Sequence, residues 1–317
     1  MKVACLALIL GTAAGQLGWP TGSVHHAFHD TPRGQLHYVT SGLRVSRQAP
    51  ILYLHSHPRS SADFKYIFAE FGGSIPLIAV DWFGMGSSED YKGRDAADEF
   101  CTFEEFATYV FEILAKEGVG EFMSAGCLKG AHPAIELAAQ AGAGRVKKVA
   151  LLGALILSPK QQEFIKNVLV PMGKHPQVFA NGSHLLNIWQ DQSSTAPIYP
   201  GEELVNQEKT NDASRSMFTN WQMQAAWAAY NEKLPARLAE VDAFADTLFV
   251  HPLVAYKRWA SYGLDPSFSL GELGKILTHG HNSSYFIEAT EGMLHQNASY
   301  LANLIKEFVH TPHTLMV

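Results

Sequence analysis

Asp81-Trp82-Phe83-Gly84-Met85-Gly86-Ser87-Ser88 packs two glycines and two serines behind a single carboxylate. Ile75 to Val80, immediately before it, is an unbroken apolar run, which predicts a strand buried on both faces. Gly84-x-Gly86 lacks the third glycine and the helix context of a dinucleotide loop, so a nucleotide cofactor is not expected. Working outward, Leu36 to Val39 ends at Gly42, and Ile51 to Leu54 runs into a loop of His55, Ser56, His57 and Pro58. On the other side, Thr102-Phe103-Glu104-Glu105 is a capping box, with Phe103, Phe106, Val110, Ile113 and Leu114 at helical spacing behind it. Further strands are predicted near Phe122 to Ala125, from Val149 to Ile156 before Ser158-Pro159, at Thr247 to Val250 and at Tyr285 to Ile287. A helix spans Ala131 to Ala141, and an amphipathic one near the end presents Leu301, Leu304, Ile305 and Phe308. Strands alternating with helices specify an α/β fold: a mostly parallel sheet flanked by helices.

Between the fifth and sixth of these helix-flanked strands the alternation stops. Residues 159–243 read as helical or irregular and carry Trp189, Trp221, Trp227 and Phe218, as a helical cap over a pocket would. The expected organisation is a core of residues 16–158 and 244–317 with a cap at 159–243.

Composition excludes several classes. The chain has 317 residues, 47% hydrophobic and 17% charged, which is enough apolar material for a large core and excludes a disordered chain or a coiled coil. Net charge is -6 with no basic run, so no nucleic-acid groove is expected. Cys5, Cys101 and Cys127 are too few for a disulfide scaffold or a structural zinc site. The histidine pairs His25-His26, His55-x-His57 and His279-x-His281 lack carboxylates at ligand spacing, so no metal is expected.

Met1-Lys2, the apolar Val3 to Leu10 and the small residues Thr12 to Gly15 read as a signal peptide of residues 1–15. The expectation is a secreted or lumenal protein with no membrane span, since spanning takes about 20 apolar residues. Sequons at Asn181, Asn282 and Asn297 would then accept N-glycans.

The Asp81-to-Ser88 stretch closely resembles the Asp-x-x-Gly-x-Gly-x-Ser turn of the α/β-hydrolase superfamily, and His55 to Ser61 is similar to its His-Gly-x-Pro loop. Arg145-Val146 leading into Val149 to Leu152 is similar to that family's sixth strand. Such proteins place a nucleophile on a strained Gly-x-Ser-x-Gly turn between strand and helix, where the glycines let two backbones pass closely. Here the corresponding residues are Gly126-Cys127-Leu128-Lys129-Gly130. Matching both glycines puts Leu128 at the tip. A second register puts Cys127 there but requires Lys129 where a small residue is needed, so sterics favour Leu128.

The remaining members of a triad are equally irregular. After Val250 no carboxylate appears until Asp265, and His295 lies beyond Gly292 rather than beside it. The resemblance therefore implies a degenerate triad. Its pocket and oxyanion region would be built from His55, Ser56, His57, Asp81, Leu128 and Gly292, with Cys127 and His295 as candidate catalytic residues. Three readings stay open on these residues. The first is a protein that binds or converts a small, largely apolar molecule without a serine. The second is a hydrolase using Cys127 with His295 as base. The third is a non-catalytic interaction protein. A Cys101–Cys127 disulfide, if the fold joined them, would remove the thiol from chemistry.

Overall fold

The computed structural model describes Trp19 and residues 24–44, 46–92, 99–195, 203–261, 263–279 and 282–312. The leader expected at residues 1–15 and Cys5 lie outside them. The strands are β1 (His25–Thr31), β2 (Gly34–Ser41), β3 (Ile51–Leu54), β4 (Leu77–Val80), β5 (Met123–Cys127), β6 (Lys148–Leu152), β7 (Asp246–Pro252) and β8 (Asn282–Ile287). They form one sheet in the order β1-β2-β4-β3-β5-β6-β7-β8. Only β1 and β2 run antiparallel to their neighbours; every pair from β4/β3 to β7/β8 is parallel.

The continuous apolar runs are explained by burial on both sides. Along β3, Ile51 and Tyr53 pack into one core while Leu52 and Leu54 pack into the other. Along β4, Leu77 and Ala79 divide from Ile78 and Val80 in the same way. The helices of the core are α1 (Lys65–Phe71), α2 (Phe103–Lys116) and α3 (Ala131–Ala141). Residues 159–243, expected as a cap, hold α4 (Pro159–Phe164), α5 (Val170–Lys174), α6 (Ser183–Thr195), α7 (Glu203–Arg215), α8 (Asn220–Tyr230) and α9 (Leu234–Asp242), the last of which packs against α3 on the sheet. After β7 come α10 (Leu253–Ser261) and α11 (Pro266–Ile276), and after β8 come α12 (Met293–Gln296) and α13 (Ala298–His310). α1 and α13 cover one face of the sheet; α2, α3 and α9 cover the other.

Two departures from the sequence reading have clear causes. β1 has no apolar pattern in the sequence, because His25 to Thr31 is mostly polar and lies half-exposed at the sheet edge. β6 ends at Leu152 rather than Ile156. Beyond it the backbone finds side-chain partners instead of a neighbouring strand: Ile156 N donates to Ser269 Oγ (2.8 Å) and Leu157 N to Asn231 Oδ1 (2.8 Å). Ser158 and Pro159 then open α4, through a capping box in which Ser158 and Gln161 each bond the other's backbone.

The two described cysteines are free and buried. Cys101 packs in the core beside α2, whereas Cys127 packs in the core on the α1 side of the sheet. The sheet separates them, so the disulfide considered from sequence does not form.

Candidate functional site

The turn from β5 into α3 is the strained element of the site. Leu128 holds φ at 51°, the only positive value recorded for a non-glycine residue among the described residues. A left-handed conformation costs about 1–2 kcal/mol for a residue with a Cβ. The flanking glycines permit the turn. A Cβ on Gly126 would overlap the carbonyl oxygen of Gly130, and one on Gly130 would overlap that of Leu54. The register with both glycines matched is thus the one adopted, and Leu128 stands at the tip.

Above the turn lies a cavity of about 820 Å³, between the C-terminal ends of the strands and the cap. Its floor includes Ser56, His57 and Arg59 after β3, Leu128 and Lys129 after β5, Gly153 and Leu155 after β6, and Glu291 after β8. Its roof and walls are largely apolar, with Phe164, Ile165, Leu169, Met172, Ile188, Met217, Trp227 and Trp259. Parallel sheets place ligand sites at this end because loops there diverge on either side of the strand tips.

Of the residues singled out from sequence, Ser56, His57 and Leu128 line this cavity. His55 and Asp81 lie buried and do not line it. Their role is structural. Asp81 accepts from Ser61 N (2.6 Å) and Ser87 N (2.9 Å) and lies 2.7 Å from His37 Nδ1. These bonds outweigh the burial that opposes its charge, so its pKa stays below the ordinary carboxylate value. Trp82 N donates to His55 Nε2 (2.9 Å), which leaves the ring proton on Nδ1 for Ser56 O (2.8 Å). Gly292 caps α12 and is also absent from the lining.

Cys127 and His295 do not line the cavity either. Cys127 ends β5 with its side chain among Tyr53 and the α1 core, and burial raises its thiol well above the usual value. A thiolate nucleophile needs the opposite shift. His295 sits in α12 with its ring 5.8 Å from that of Tyr66. Burial, then Lys209 and Arg59, push its pKa well below the usual imidazole value.

Sequence reading missed the polar groups that the fold does assemble. Lys129 Nζ lies 2.9 Å from His57 Nδ1 and 5.2 Å from the centre of the Trp227 ring. Burial lowers the lysine pKa to about 8, with Glu291 acting in the opposite direction. Burial and then Lys129 hold His57 well below its usual value, so the ring is neutral and accepts from the ammonium through Nδ1. The ring proton then sits on Nε2, 3.0 Å from Gln224 Nε2, and turning that amide over brings its otherwise unpartnered oxygen to accept it. Lys129 N also reaches Ser56 Oγ (3.4 Å), so the backbone donor that follows the tip already has a partner. Across the floor, Glu291 Oε1 accepts from Trp259 Nε1 (2.7 Å), and burial raises its pKa. Glu291, not His295, is therefore the residue that the β8 loop presents to the cavity. No signal in the sequence marked it, because its importance depends on which way the loop faces. Among the described residues no group of three or more His, Cys, Asp or Glu could hold a metal. Among them too, no helix is long and apolar enough to cross a membrane.

The sheet order and the turn define an α/β-hydrolase fold, and comparison with solved structures agrees. An esterase from Rhodococcus sp. ECU1013 is similar at TM-score 0.67 and 17% identity, over 91% of this chain and 99% of that one. An enol-lactonase from Burkholderia xenovorans LB400 is similar at TM-score 0.63 and 14% identity, over 89% and 99%. The Cif epoxide hydrolase from Acinetobacter nosocomialis is similar at TM-score 0.64 and 14% identity, over 91% and 90%. No family model and no curated protein matches the sequence. Identities this low establish the fold alone.

Proposed function

We propose that this chain is an α/β-hydrolase-fold protein that has lost the serine triad and binds, or converts without a serine nucleophile, a small, largely apolar molecule. The observation that carries the reading is Leu128 at the tip of the turn, where the side chain has no nucleophilic atom. Two further positions support it. β7 passes from Pro252 directly into α10 with no carboxylate between His251 and Tyr256. The β8 loop offers Glu291 to the cavity where a hydrolase of this kind would need an imidazole. The fold neighbours are an esterase, an enol-lactonase and an epoxide hydrolase, which fits a cavity built for a small molecule.

The test combines chemistry and binding. The wild-type protein turns over no p-nitrophenyl ester and takes no label from a serine-directed phosphonate. Leu128→Ser stays inactive as well, because triad residues act as a unit and only the nucleophile has been supplied. An environment-sensitive apolar dye binds, and Met217→Trp, which fills the cavity, weakens it about tenfold. Phosphonate labelling of the wild type would overturn the reading.

The same proposal includes export. The protein enters a secretory compartment and is cleaved near Gln16, with Asn181 as its best acceptor because that residue is exposed at the start of α6. Intact mass on protein from its native source tests this directly. Retention of Met1 excludes export; loss of mass on glycosidase treatment, abolished in Asn181→Gln, supports it.

A further inference from the structure

We propose that Lys129 captures carbonyl compounds: its Nζ forms an imine with an aldehyde or ketone carried by an apolar ligand in the cavity. This rests on the reading that the cavity takes an apolar molecule, and it names the ligand's reactive group. The geometry points to it because the amine projects from the residue next to the strained tip into a largely apolar enclosure. Its recorded neighbours are a neutral imidazole nitrogen and an indole face, and among the described residues no carboxylate lies within ion-pair distance of Nζ. Burial disfavours the ammonium more than the more distant Glu291 favours it, which is how an amine is made nucleophilic in a protein. At about pH 7.5, lowering the pKa from 10.5 to about 8 raises the neutral fraction on the order of a hundredfold.

The step balances without an oxidant or reductant. The Nζ lone pair forms a bond to the carbonyl carbon as the carbon-oxygen π bond breaks. The oxygen then leaves as water, carrying the two protons that the amine gives up. Glu291 lines the same floor, and burial raises its carboxyl pKa above the ordinary value, which places a proton-exchanging group beside the departing oxygen. The apolar walls limit the water that would reverse the reaction.

Decanal with sodium borohydride reads the imine as a stable secondary amine, located by peptide mass spectrometry. Initial labelling of Lys129 at about pH 7.5 should exceed that of the exposed Lys275 by on the order of a hundredfold. Its rate should rise as pH increases through about 8. The titratable and charged groups around the floor are His57, Arg59, Asp63, His132, Asp191 and Glu291. Of these His57 and His132 have lowered pKa values, so neither imidazole imposes that rise. Lys129→Gln and Lys129→Arg should both lose the adduct, whereas Lys275→Gln should keep it. Decanol and dye binding with no preferential adduct at Lys129 overturns the proposal and leaves the cavity reading intact. Lys129-dependent binding of decanoate without any trapped aldehyde overturns it too, since the amine is then an ion-pair anchor. Failure of dye and decanol to bind removes the cavity reading itself.

Discussion

At the tip of the turn between β5 and α3, Leu128 keeps a left-handed backbone that a leucine adopts only under constraint. The constraint comes from the crossing of two backbones on either side of it. Gly126 lies against Gly130, and Gly130 against Leu54 and His55, so neither position has room for one more carbon. Gly130→Ala should therefore destabilise the protein by about 3 kcal/mol or more, because the obstacle is main chain and cannot rotate away. A denaturant midpoint unchanged from wild type would show that the turn is looser than described. The motif was legible in the sequence because this steric demand is local. The chemistry of Lys129 was not, because its lowered pKa arises from burial, under walls supplied largely by segments remote in the chain.

The cap is tied to the core through one helix in particular. On α7, Glu208 pairs with Lys65 and accepts from Tyr66 (3.0 Å), while Asp212 accepts from Ser60 Oγ (2.9 Å). Burial and the neighbouring Asp63 raise the Asp212 pKa from 3.8 to about 7. The folded protein thus holds a proton that the unfolded chain releases above pH 3.8, and this contribution to stability is lost as pH rises through about 7. Asp212→Asn, which cannot ionise but can still accept from Ser60, should be more stable than wild type above pH 7 by about 2–4 kcal/mol. At about pH 3, below both pKa values, the two proteins should have about equal stability. Hydrogen exchange of α7 measures this; an equal difference at both pH values would remove Asp212 as its cause. The sequence showed only that strands stop after residue 158 and that the following stretch is helical or irregular. How it docks was not legible, since α7 contacts the loop after β3 across more than a hundred residues of chain.

Over the whole molecule, buried histidines set the response to acid. Burial lowers His132 and His251 from 6.5 to about 4, and holds His57 and His295 well below the usual value. In the window between those values the unfolded chain binds protons that the folded one refuses, so stability falls as pH drops from 6.5 through 4. His132 and His251 each contribute about 3 kcal/mol to that loss. The single opposing contribution of Asp212 in part of the same window is smaller than the combined effect. Urea midpoints should therefore decline steeply below pH 6.5, and a midpoint that stays level to pH 4 would contradict the neutral assignment of these rings.

The parallel sheet and the register of the turn were legible in the residues alone, as was the break in the strand-helix alternation after residue 158. These follow from short-range rules: apolar runs that demand two covered faces, a break in strand-helix alternation, and glycines forced by backbone contact. The sequence also located Ser56, His57 and Leu128 in loops that meet at one end of the sheet. Only the tertiary structure decided which polar groups meet there. Cys127 and His295 carry suitable atoms, yet β5 turns the thiol into the core and α12 keeps the imidazole off the cavity. Lys129 and Glu291 carried no motif, yet the fold brings them to one apolar floor. Side-chain chemistry depends on desolvation and on neighbours from remote strands, and neither is a property of a residue's place in the chain.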